Sequence, residues 1–124
     1  MINKMDYINA INQNIDMVRG DSLIFNFTLK GLGSQSAYED VEVTFSASDT
    51  SDGDAVISAS IDDGIELVEY DDFSDTATFT VCLVPAKTKD LDVARYYYDL
   101  QISFDNNVAT LMRGFLTLLW EISQ

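Results

Sequence analysis

The stretch that most constrains this chain runs from Arg95 to Ile122. In Arg95–Phe104 the side chains of Tyr96, Tyr98, Leu100, Ile102 and Phe104 alternate with Tyr97, Asp99, Gln101 and Ser103. A period of two is the signature of a strand with one buried face, because successive side chains point to opposite sides of the backbone. Asp105, Asn106 and Asn107 follow. These residues tolerate positive φ and bond their own backbone, so they predict a hairpin turn. Val108–Ile122 is apolar, β-branched or aromatic enough to pair back as the next strand. The stretch therefore predicts the central hairpin of an all-β domain, whose remaining strands must cover the hairpin's buried face.

The rest of the chain repeats the pattern. Asp16–Val18 reads as a short strand and Arg19-Gly20-Asp21-Ser22 as a turn. Ser22–Lys30, Val41–Ala47, Ala55–Ile61, Ile65–Glu69 and Thr76–Leu83 supply further strands, most of them with a period of two. Asp62-Asp63-Gly64 is a tight-turn signal, and Pro85–Leu91 reads as a helical turn opened by its proline. Gly31–Ser36, Asp49–Asp54 and Tyr70–Asp75 read as loops. Seven or eight short strands bounded by turn residues predict an antiparallel two-sheet β-sandwich, immunoglobulin-like in shape. A small closed barrel is the structural alternative. Residues 1–15 differ: Ile2, Met5, Ile8, Ile11 and Ile15 recur at helical spacing among poor helix formers. That segment is expected to be an N-terminal arm that orders against another subunit or the sandwich edge, with residues 16–124 forming the sandwich.

Composition excludes several functions. The 124 residues suit one domain with a real core, and hydrophobic content of 47% with 23% charged residues is that of a packed chain. The net charge of −14 makes nucleic acid and anionic membranes poor direct partners. Residues 31–86 contain no Lys or Arg, yet they hold most of the 21 acidic residues. They predict a solvated acidic face or one that meets a basic partner. No apolar run is long enough to span a bilayer, and the N-terminus lacks the pattern of a secretory signal.

No catalytic equipment is legible. Histidine is absent, which removes the commonest general base and metal ligand. The single cysteine, Cys82, reads as a small strand hydrophobe. Asp62-Asp63 and Asp71-Asp72 are adjacent residues in turns, not carboxylates facing each other across a cleft. Asp49, Asp52 and Asp54 have oxygen ligands but not the spacing of a calcium hand. Arg19-Gly20-Asp21 spells an integrin-type tripeptide and reads as a glycine-permitted turn. The expectation is a non-enzymatic protein without cofactor or metal.

The last strand carries one further signal. Leu116, Leu118, Trp120 and Ile122 occupy one face, while Phe115 and Leu119 occupy the other. A strand apolar on both sides needs cover, either from the arm or from a neighbouring subunit. The residues expected to make protein contacts are Ile2, Met5, Ile8 and Ile11 of the arm, with Leu118, Trp120 and Ile122 of the last strand.

Three segments resemble a known family. They are Ile15–Leu23, Asp63–Val68, and Arg95–Ile102 taken with Thr110–Leu116. Together they are similar to the N-terminal immunoglobulin-like domain of tailed-bacteriophage baseplate upper proteins, over about residues 15–122. The chain departs from that pattern at Ala94-Arg95, where glycine is usual, and in its apolar last strand. The resemblance implies a structural protein of the virion, in the tail or baseplate or associated with the capsid. It would be assembled in the bacterial cytoplasm and act through contacts with other virion proteins and with copies of itself. The alternative reading is an adhesin module that binds carbohydrate or a host surface through the outward Tyr97 and the acidic loops.

Overall fold

The computed structural model describes residues 11–121. The alternation read from the sequence becomes strands nearly everywhere it occurs. In chain order these are β1 (Ile11–Asn12), β2 (Ile15–Val18), β3 (Leu23–Lys30), β4 (Glu42–Ser48), β5 (Ile57–Ile61), β6 (Gly64–Asp71), β7 (Thr76–Leu83), β8 (Arg95–Phe104) and β9 (Asn107–Leu119). One short helix, α1 (Gln35–Glu39), and a 3-10 turn at Pro85–Lys87 complete the described elements. The fold is all-β, as expected. The helical spacing of the N-terminal segment does not become a helix where it can be followed: Ile11–Asn12 and Ile15 are strand.

The β8–β9 hairpin forms around Asp105 (φ 53°) and Asn106 (φ 66°). Two successive positive φ angles make a type I′ turn, whose twist matches that of the flanking strands. Tyr96, Tyr98, Leu100 and Ile102 all point into the core. On β9 the phase changes partway. Ile102 faces Ala109, but Leu100 faces Met112, so β9 carries one extra residue there, a bulge at Leu111. The inward set thus shifts from odd to even positions, and Leu111, Leu116 and Leu118 are all buried.

The strands follow one hydrogen-bonded path in the order β1-β9-β8-β4-β5-β6-β7-β3, with β2 also pairing β9. The pairing is mixed and not purely antiparallel: β1 and β2 run parallel to β9, and β5 pairs parallel with β6. The Asp62-Asp63-Gly64 signal is a tight turn as expected, with Asp62 at φ 67° and Gly64 at φ 98°. It does not close an antiparallel hairpin. It turns a corner, passing the chain from β5 to β6 and so from one half of the path to the other.

The path curls back on itself. Phe25 of β3 meets Phe45 of β4 with ring centroids 6.3 Å apart, although β3 and β4 are far apart in the order of pairing. Phe45 also stacks on Tyr98 at 5.4 Å, and Phe27 on Phe79 at 5.2 Å. Phe45, Phe79, Ile57, Ile65, Leu83, Leu100 and Leu116 are fully enclosed between the two halves. Each such side chain contributes about 1.5–3 kcal/mol by leaving water.

Helix α1 starts inside the Gly31–Ser36 stretch that reads as loop and continues to Glu39. Ser34 caps it by accepting a hydrogen bond from the Ala37 amide at 3.2 Å. The helix buries Tyr38, whose hydroxyl donates to the Asp75 carbonyl at 2.7 Å and accepts from the Leu32 amide at 3.2 Å. The Asp75 carboxylate in turn accepts from the Gly33 amide at 3.0 and 3.1 Å. The loop after β3 is thereby fastened to the turn between β6 and β7. Burial is the main cause that pushes the Tyr38 hydroxyl up to about 12.

Candidate functional site

The arm's edge of the sheet is built by β1 and β2 lying end to end along β9. Between them the chain crosses β9 closely at Gln13-Asn14. Gln13 donates its amide to the Arg113 carbonyl at 2.9 Å, and its carbonyl accepts the Tyr98 hydroxyl at 2.7 Å. The Asn14 side chain accepts from the Phe115 amide at 3.0 Å. Gly114 sits directly beneath, and a Cβ there would collide with the Gln13 carbonyl. Glycine inside a strand marks such a close backbone approach.

The expected contact residues that are described, Ile11, Leu118 and Trp120, are not gathered in one place. Ile2, Met5, Ile8 and Ile122 lie outside the described residues. Ile11 is 56% exposed at the Met112 end of the edge, and Trp120 is 69% exposed beyond the other end of β9. Eight residues of strand separate Met112 from Trp120, roughly 26 Å at the usual rise. Leu118 is fully buried in the chain's own core.

Trp120 is held in place at its own end. The Arg19 guanidinium lies 4.9 Å from its ring centroid, bonds Glu121 at 2.9 Å and donates to the Leu91 carbonyl at 3.0 Å. The hydrogen bond from Arg19 holds the Glu121 carboxyl below its ordinary range. The neighbouring Gly20, at φ 86°, donates its amide to the Thr88 hydroxyl at 2.9 Å. Arg19-Gly20-Asp21 is therefore a turn whose arginine fastens the end of β9 and props Trp120 outward.

A groove of about 600 Å³ separates this edge from β3. Ile11, Ile15, Phe25, Phe27, Leu111 and Met112 line it. Its walls are the two ends of the curled path, since β3 pairs only with β7 and β9 has no partner along Asn107–Leu111 on its outer side among the described residues. Unpaired strand edges beside apolar side chains are the usual place for another strand to add.

The opposite face of β9 and β8 is more polar. Tyr97 is 44% exposed and packs against Phe115 at 5.2 Å, while the Arg95 guanidinium lies over the Phe115 ring at 4.9 Å. Among the described residues no group of three or more acidic or cysteine side chains comes together as a metal site. No described helix is long and apolar enough to cross a membrane.

No protein-family model and no curated protein matches the chain. Among solved structures, it is similar to the major subunit AggA of aggregative adherence fimbriae type I from Escherichia coli. That likeness has a TM-score of 0.43 and 11% sequence identity, and covers 89% of this chain and 91% of the other.

Proposed function

We propose that this chain is a non-enzymatic structural module of a tailed-phage virion, an attachment piece of the tail, baseplate or capsid surface. It works through contacts with copies of itself and with other virion proteins, after assembly in the bacterial cytoplasm. The two halves of the curled sheet serve as the layers of an immunoglobulin-like sandwich, and the open side between β3 and β9 is the contact edge.

The observation that carries this reading is the groove itself: two unpaired strand edges face each other across apolar side chains, with exposed Ile11 at its rim. An edge of that kind is a template for another chain, and proteins that remain single blunt such edges. The occupant is a strand of a neighbouring copy. The resemblance of Ile15–Leu23, Asp63–Val68 and the β8–β9 hairpin to baseplate upper proteins supports the virion setting. Mass spectrometry of purified particles tests it directly. The chain should be present in a fixed ratio to the major tail or capsid proteins, and Ile11→Asp should deplete it. Particles without the chain, or equal incorporation of the variant, would refute the reading.

A further inference from the structure

The outer face of β1, β9, β8 and β4 carries a second built feature. Register places Asn12 beside Arg113, Arg113 beside Asp99, and Asp99 beside Ser46, so four polar side chains form one row across four strands. The next row sets Phe115 beside Tyr97 and Tyr97 beside Ser48. Three strand spacings make the first row roughly 14 Å long, and two make the second roughly 10 Å. The loop from Asp49 to Ala55 rises along one side, and the whole forms an open cleft of about 440 Å³. Pockets for small ligands fall in this range and combine apolar surface with a few convergent polar groups.

The polar row is only partly satisfied. Arg113 donates from Nε to the Asn12 side chain at 3.2 Å, and its terminal nitrogens have no partner among the described residues. Asp99 accepts one long bond, from Gln101 at 3.4 Å. Partial burial raises the Asp99 carboxyl above its ordinary range, so its charge sits there at a cost that a donor from a ligand would relieve. The Tyr97 hydroxyl is likewise without a partner among the described residues.

We infer that this cleft binds a neutral saccharide. An exposed aromatic ring offers an apolar face to the C–H side of a sugar ring. A carboxylate and a guanidinium beside it respectively accept from and donate to adjacent hydroxyls with charge-assisted bonds. A ligand that needs both, and carries no charge itself, is a polyhydroxyl chain. With a net charge of −14 the protein repels anionic ligands. The site lies on a different face from the groove and stands whether or not the virion reading holds.

The test is an array of neutral oligosaccharides of glucose, galactose and N-acetylglucosamine, with sialylated and sulfated members as the anionic arm. It is followed by NMR titration of the chain with the best neutral member. The expected result is neutral binding, with amide shifts centred on Asn12, Tyr97, Asp99 and Arg113. Tyr97→Ala and Asp99→Asn should each weaken binding at least tenfold, while Trp120→Ala, outside the cleft, should bind like the parent. Spectra of the variants away from the cleft establish that they are folded. No neutral binding at millimolar concentration, binding of anionic members only, or equal binding by folded Tyr97→Ala would overturn the inference.

Discussion

At Gly114 a single missing methyl group decides whether the N-terminal strands can lie on the sheet. The Gln13 carbonyl occupies the space a Cβ would need, and the same carbonyl accepts the Tyr98 hydroxyl. Gly114→Ala should cost about 1–3 kcal/mol, the range for overpacking a fitted site. Urea unfolding would measure the loss, and hydrogen exchange should rise in residues 11–18 before it rises in β8. Tyr38 makes a pH prediction. Its folded hydroxyl titrates near 12, against an ordinary 10.0, so the folded chain holds that proton more tightly than the unfolded chain. The stabilisation is complete below the ordinary value and is lost as pH rises through the folded one. Tyr38→Phe should lower stability by about 1–3 kcal/mol at neutral pH through the unmet Asp75 and Leu32 groups. It should also flatten the decline between pH 10 and 12 in melts followed by circular dichroism. A glycine inside a strand pattern, such as Gly114, is compatible with a close backbone approach, but the Gln13 carbonyl that approaches it is revealed only by the fold. Tyr38 was hidden, because the five-residue helix that buries it follows a Gly-Leu-Gly stretch and announces itself only through the Ser34 cap.

Among the elements, the β8–β9 hairpin was the most legible. Its alternation named the buried tyrosines, and Asp105–Asn107 named the turn. Because Asp105 and Asn106 both hold positive φ, Asn106→Val should cost of order 1–3 kcal/mol, as a β-branched residue resists that region. Thermal unfolding would show it, with no change in the buried face of β8. The bulge at Leu111 was not legible, since no glycine or polar residue marks it and only the cross-strand register reveals it. Asp16–Val18 did read as a strand, but the parallel direction of β1 and β2 was hidden for a different reason. Sequence patterning reports which face of a strand is buried, not the direction of its neighbour. Asp62-Asp63-Gly64 shows the same limit: the turn was legible, but not that it makes a corner between halves of the sheet.

Over the whole molecule, the curled path leaves two strand ends facing each other across an apolar groove, and leaves Trp120 held outward by Arg19. Of the residues expected to make contacts, the described ones part company: Ile11 and Trp120 are exposed, and Leu118 is buried. Leu118 belongs to the core because the β9 bulge sets its phase, and Trp120 stands clear because β9 ends at Leu119. If Trp120 anchors a contact between subunits, Trp120→Ala should weaken association by about 2–4 kcal/mol while leaving the fold intact. Dilution-dependent mass photometry of the variant beside the parent would separate that loss from unfolding. The most direct measurement is sedimentation equilibrium of the intact chain over a range of concentrations. The account predicts a defined oligomer that Ile11→Asp dissociates into folded single chains; a single folded chain at every concentration, indifferent to that substitution, would contradict it.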